Sequence, residues 1–258
     1  MNHVHDFSGY LPSITLPLGI VIPTYFLIVS LAFSMSLIWL VRRAEARALS
    51  RNLSLDLAMI VMGFGFLGAR LFHILFEEPA YYWESWSRVY EIWRGGFVWF
   101  GGALLAAVGV GLYMRRRFMP IGVWLDVFAP LCAFGYALGR LACVLAGCCY
   151  GATCTLSSGY TFRYPTQIFA STWEFAVLFI LLLIERRRRF LGPWFKRDGQ
   201  LFVIWLGLHS IGRIIMESFR ADPRGPEPLG LSVSTWISLV LLIAAIRFSA
   251  RVRWPLRS

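Results

Sequence analysis

Seven stretches of this chain, near 14–41, 54–76, 96–114, 120–147, 167–184, 200–219 and 231–247, are dominated by apolar residues. A hydrocarbon core about 30 Å thick is crossed by a helix of roughly 20 apolar residues, so these runs predict seven transmembrane helices. They are too long for strands and show no period-two alternation, which sets aside a lipid-facing barrel. In lipid only helices or closed barrels satisfy every backbone group. The predicted fold class is therefore all-α, a polytopic integral membrane protein forming a single domain over 1–258, without internal repeat or low-complexity linker. Composition agrees, with 58% hydrophobic residues, 15% charged residues and a mean hydropathy of +0.63, values outside the range of soluble globular domains.

The positive charges predict an orientation. Arg42, Arg43, Arg47 and Arg51 follow the first run, and Arg115, Arg116 and Arg117 follow the third. Arg186 to Arg189, Lys196 and Arg197 follow the fifth, and Arg247, Arg251, Arg253 and Arg257 follow the seventh. Seventeen of the 25 Lys and Arg residues thus fall on one side, and only Arg88, Arg94, Arg163, Arg220 and Arg224 on the other. The positive-inside rule places the N-terminus outside and the C-terminus in the cytoplasm. The net charge of +11 is mostly this topological signal, carried in short basic clusters beside anionic headgroups, and nucleic acid is not an expected partner. The first thirteen residues hold no Lys or Arg and no small-residue cleavage site, so the first run is expected to be a retained span.

Two outer segments exceed simple turns. "EEPAYYWESWSRVYEIWRGG" (77–96) is rich in Trp and Tyr, as an interfacial stretch would be, and 148–166 carries Cys154 and the turn "LSSGY".

Arg70, Arg140 and Arg213 lie inside or at the ends of spans, where a fixed charge is expensive and marks a functional candidate. The alternative is a side chain that snorkels to the headgroups. In "HSIGRIIMESFR", His209, Arg213, Glu217 and Arg220 follow at steps of four, four and three, which is one helical face. An Arg213–Glu217 pair would neutralise itself. Arg140, in "GRLACVLAGCCYG" (139–151), has no acidic residue nearby in sequence, and positive charge left over in this way suits an anionic ligand such as a phosphate.

These residues resemble the prolipoprotein diacylglyceryl transferase family, bacterial enzymes that move diacylglycerol from phosphatidylglycerol onto a lipoprotein cysteine. "PLGIVIPTYFLIV" puts Tyr25 where the family has a tyrosine, and "GARLFHILFEEP" and "WRGGFVWFGG" are similar to its next two helices. The family pattern Gly-Arg-x-Gly-Asn-Phe-x-Asn-Gly-Glu-x-x-Gly is matched at Gly139, Arg140, Gly147 and Gly151. "YPTQIFASTWE" is similar to His-Pro-Ser-Gln-Leu-Tyr-Glu, and Arg213, Glu217 and Arg220 match an Arg-x-x-x-Glu-x-x-Arg helix. The departures are Phe100 for a histidine, Cys143 for an asparagine, Cys148 for a glutamate, Ala142 for a glycine and Ala146 for an asparagine.

The resemblance implies a lipid pocket between the second, fourth and sixth spans near the outer leaflet of a bacterial inner membrane. Its partners would be phosphatidylglycerol, the signal peptide and lipobox of a prolipoprotein, and membrane lipids. Arg140, Arg213, Glu217, His209 and Tyr25 are the expected catalytic residues, with His73 as an alternative base to His209. Arg140, Arg213, Arg70, Gly101, Gly102, Gly139, Gly147, Gly151, Gln167 and Arg220 are the expected substrate-binding residues. No cofactor is expected, because the transfer moves neither electrons nor a high-energy phosphate. Two other readings stay open: a family member that binds lipid or handles lipoproteins without turnover, and a thiol–disulfide protein using Cys148 and Cys149. The C-x₄-C-C-x₄-C spacing from Cys143 to Cys154 matches no usual zinc pattern. Disulfide bonding or plain packing is expected there, no metal is, and Cys132 is expected to be a core residue.

Overall fold

The structure, a computed structural model, describes residues 13–15, 17, 21–92, 95–155, 157, 161–221 and 228–251. Arg94, Arg224, Arg253, Arg257 and most of the "LSSGY" turn lie outside the described residues. Every one of the seven apolar runs holds a long α-helix: α1 (Thr24–Glu45), α2 (Arg51–Phe72), α4 (Trp99–Arg116), α5 (Ile121–Ala146), α6 (Thr166–Arg187), α7 (Gln200–Glu217) and α8 (Val233–Arg251). A short α3 (Pro79–Glu84) lies in the aromatic outer segment. Among the described residues, four segments are long and apolar enough to cross a membrane by length and composition: Thr24–Glu45, Arg51–Glu77, Ile121–Ala146 and Thr166–Phe190. Outward-facing Leu31, Met35 and Ile38 on α1, Met59, Met62 and Leu67 on α2 and Phe179 on α6 are exposed, as lipid-facing side chains would be.

The first predicted helix starts ten residues too early. Residues 13–23 instead contain two short antiparallel strands, β1 (Ser13–Thr15) and β2 (Val21–Pro23), with Ile14 opposite Ile22. Pro17 and Pro23 lack the amide hydrogen that a continuing helix needs, and Thr24 is the first position clear of both. A second small pair, β3 (Thr153–Thr155) and β4 (Thr161–Arg163), lies between α5 and α6. These strands are minor additions to a mainly helical chain.

Local sequence explains the helix ends. Ser50 accepts a hydrogen bond from the Leu53 amide at 3.3 Å and starts α2. Arg42 and Arg43, Arg115 and Arg116, and Arg186 and Arg187 close α1, α4 and α6, where cations complement the helix dipole. Pro130 stands inside α5, a position tolerated in membrane helices when neighbours satisfy the freed carbonyl.

Two compact units divide the chain. Among the described residues, one draws on 41–121 and 228–233, the other on residues before 41, 122–221 and 234–251. In the first, α2 and α4 meet through small residues: a Cβ on Gly101 would lie 2.3 Å from the Phe72 ring and 2.6 Å from the Gly68 carbonyl oxygen. This close approach is the packing that small residues permit in membranes. In the second, Ala129 and Ala133 of α5, Val177 and Leu181 of α6, and Leu201 and Trp205 of α7 form the core. Asp126 fastens its ends, accepting from the Leu201 amide at 2.9 Å and pairing with Arg188 at 2.9 Å. A carboxylate at the first turn of α7 also faces the positive end of that helix.

Candidate active site

The second unit gathers most of the charges singled out from the sequence. Arg140, in the penultimate turn of α5, donates from Nη2 to the Tyr136 hydroxyl at 2.6 Å, and its guanidinium lies 4.8 Å from the centre of the same ring. The i, i+4 spacing on a helix puts the two side chains one above the other. No carboxylate among the described residues pairs with this guanidinium. Arg213 of α7 is buried, and its Nη2 lies 3.4 Å from Glu217 one turn along. That pair is long, and the fields of Tyr136, Arg140, Arg220 and Cys149 also reach Arg213. Tyr25, at the start of α1, interacts electrostatically with Arg140 and with Cys143, Cys148 and Cys149. Arg140, Arg213, Arg220, Tyr25 and Tyr136 therefore share one cationic, phenol-bearing neighbourhood.

His209 lies behind this group. Its Nδ1 is 2.5 Å from Glu174 Oε1 of α6, Trp205 stacks on its ring at 5.2 Å, and Tyr136 meets it edge-on at 4.7 Å. Only 1% of the histidine side chain is exposed. The expectation that His209 abstracts a substrate proton is thus revised: it is walled in, and it reaches the site through Tyr136. Glu174 and Tyr136 were not anticipated. Glu174 stands inside an apolar run, which is itself a flag, and Tyr136 precedes Arg140 by one helical turn.

The segment after α5 is held by α6. Gln167 Nε2 donates to the Cys148 carbonyl at 2.6 Å, and Thr166 Oγ1 to the Cys149 carbonyl at 2.8 Å. Gln167, expected to touch substrate, therefore positions this loop. Gly147 has φ 71°, the left-handed turn that ends a helix. Gly151 bridges Arg220 in an antiparallel contact and is hemmed in by Tyr164 and by the Phe219 carbonyl, so these residues tie the loop to the end of α7. Gly139 faces open space, with no atom within 4 Å of where a Cβ would stand.

All five cysteines are free thiols, so of the two expectations, disulfide bonding or plain packing, no disulfide is formed. The sulfurs of Cys143, Cys148 and Cys149 lie within 4.8 Å of one another, a convergence that the linear spacing did not suggest. Hydrogen bonding to Cys143, then to Cys148, holds the Cys149 thiol well below its ordinary range, with Arg140 and Arg220 adding to the effect against burial. At Cys148 the Cys143 hydrogen bond acts downward, but Cys149 and burial outweigh it and push the thiol up to about 12.

The first unit holds Arg70, His73, Phe100, Gly101 and Gly102. Arg70 is buried and donates to the carbonyls of Arg88 at 2.7 Å, Gly95 at 2.5 Å and Gly96 at 3.2 Å, and to that of Val89. Arg70, expected to bind substrate, has its guanidinium engaged by backbone carbonyls and pins the outer segment. Gly96 has φ 80°, and a Cβ there would fall 2.7 Å from the Arg70 guanidinium. His73, the alternative base, hydrogen-bonds Tyr82 at 2.9 Å beside this pin. Gly101 and Gly102, expected at the substrate, are packed against α2. Phe100 meets Trp99 edge-on at 5.2 Å.

Long apolar helices, with Arg140 set beside the Tyr136 phenol and no carboxylate paired to it among the described residues, define a helical membrane protein with a cationic site. The chain belongs to the family described as Prolipoprotein diacylglyceryl transferase, whose sequence model matches residues 13–251. A phosphatidylglycerol–prolipoprotein diacylglyceryl transferase from Clostridium tetani is 28% identical over 239 residues, covering 88% of this chain and 92% of its own. One from Clostridium perfringens, bearing the suffix 2, is 29% identical with 88% and 90% covered. One from Frankia alni is 31% identical, with 83% of this chain and 59% of its own covered.

Proposed function

We propose that this chain transfers diacylglyceryl from phosphatidylglycerol to the lipobox cysteine thiol of a prolipoprotein signal peptide, releasing glycerol phosphate. The reading rests on family membership, and the observation that carries it is the Arg140–Tyr136 contact facing Arg213 without a neutralising carboxylate on Arg140. Guanidinium groups stay charged and fork onto phosphate oxygens, so Arg140 and Arg213 hold the lipid phosphate and stabilise the charge that grows on it. Glu217 and Tyr136 orient the two guanidinium groups. A carbon–sulfur bond forms at the glyceryl carbon as its bond to the phosphate oxygen breaks, and glycerol phosphate carries away the electron pair. A few per cent of a thiol is thiolate at neutral pH, and neighbouring cations raise that fraction. The thiol proton passes to water, Tyr25 adds a second phenol to the cationic neighbourhood, and the Glu174–His209 pair sets Tyr136.

The same reading takes the seven helices as seven spans of one membrane domain in a bacterial inner membrane, N-terminus outside. The distribution of Lys and Arg supports that orientation. Phe100, standing where the family pattern has a histidine, favours the second reading of lipid binding without turnover. Expression of the chain in a bacterium depleted of its own transferase separates the two. Restored growth and lipidated lipoproteins are expected; a membrane-inserted protein that binds phosphatidylglycerol yet restores neither contradicts the transferase.

A further inference from the structure

We infer that Cys143, Cys148 and Cys149 form a three-sulfur site for a soft monovalent d¹⁰ cation of the copper(I) class. The site adjoins Arg140 and is built by backbone. Cys143 lies buried in the last turn of α5. Gly147 and Cys149 both take left-handed backbone, with φ 71° and 61°, and the two turns bring the loop back until all three sulfurs lie within 4.8 Å of one another. Glycine is the ordinary occupant of such a conformation. A side-chain-bearing cysteine is held there at Cys149, and backbone strain of this kind gathers at functional positions.

The loop does not depend on an ion to keep its shape. Gln167 and Thr166 hold the carbonyls of Cys148 and Cys149 at 2.6 and 2.8 Å, and the Ala152 amide reaches the Phe219 carbonyl at 2.8 Å. An ion about 2.3 Å from each of three sulfurs in a plane needs them about 4 Å apart, and the three sulfurs lie within 4.8 Å of one another. Structural zinc takes four protein ligands, and no histidine, carboxylate or further cysteine joins the group among the described residues. Thiolates select soft ions. Three of them around a monovalent ion carry two negative charges, for which Arg140 and Arg220 are the cationic neighbours. Cys143 and Cys148 stand where the family pattern has asparagine and glutamate, so the site belongs to this chain's departures from that pattern.

The test uses the full chain in lipid nanodiscs, reduced and desalted without oxygen, and offered copper(I) buffered by bicinchoninate or zinc(II) buffered by a chromophoric chelator. The expected result is one copper(I) withdrawn per chain, X-ray absorption reporting three sulfur neighbours, and zinc(II) failing to displace it. Cys148 is exposed, so Cys148→Ser should fold and lose affinity by more than about 100-fold, since even outer-shell changes around a metal cost 10–100-fold. Cys132→Ser and Cys154→Ser should bind as the parent does. No stoichiometric uptake by the reduced parent chain, a coordination shell other than three sulfurs, preference for zinc(II), or unchanged affinity in Cys148→Ser would each overturn the site. The absorption measurement on the parent chain decides the matter without any variant.

Discussion

Arg213 is the residue at which charge and shape can be separated. Lysine keeps the charge but loses the fork that reaches both a phosphate and Glu217. Losing one hydrogen bond to a charged group costs about 1.5–3 kcal/mol, so Arg213→Lys should lower transfer by roughly 10- to 100-fold. A transfer assay on membranes with matched expression checks it, and a near-parental rate would leave Arg213 as an intrahelical ion pair. Glu174→Gln tests the hidden pair: weakening a buried charge-assisted bond to His209 should lower thermal stability by about 1–3 kcal/mol. It should also reduce kcat more than it raises KM, because His209 acts through Tyr136; a stability loss with kinetics untouched would make the pair purely structural. The arginines were legible because a guanidinium in a span is conspicuous. Glu174 obeys the same rule and was passed over because its partner lies 35 positions away, a pairing that no spacing announces. Tyr136 was within reach, one turn before Arg140, but its ring reads as packing until the guanidinium is seen over it.

At the scale of elements, apolar run length found all seven long helices, and most boundaries fall within a few residues. The start of α1 was missed because the run continues through Pro17 and Pro23, where hydropathy persists but helical hydrogen bonding does not. The glycines were harder still, since family resemblance cannot distinguish a glycine that touches substrate from one that lets helices meet. Their surroundings do. Gly101→Val forces a side chain into the Phe72 ring, so α2 and α4 must separate, and overpacking of this kind costs about 1–3 kcal/mol. Gly139→Ala meets no atom within 4 Å, and replacing a mid-helix glycine should gain about 0.5–1 kcal/mol. Thermal melts of the two variants in detergent should move in opposite directions. Reduced transfer in a stable Gly139→Ala would assign its open space to the lipid.

For the whole molecule, the signal of orientation is spread over connecting segments and the signal of chemistry over four helices, so neither depends on one motif. The cysteine triad is the part least visible in the sequence, because its geometry arises from two left-handed residues and from bonds to α6. The central claim is that Arg140 holds a lipid phosphate while a thiol attacks the adjoining glyceryl carbon. Purified chain in nanodiscs should therefore release glycerol phosphate from phosphatidylglycerol labelled in its headgroup only when a lipobox peptide is present, with one thioether formed per molecule released. Arg140→Ala should fold with a parental melt and fall at least about 100-fold in rate, as loss of a preorganised charge-stabilising donor does. Release without peptide, or a parental rate in a well-folded Arg140→Ala, would contradict the account.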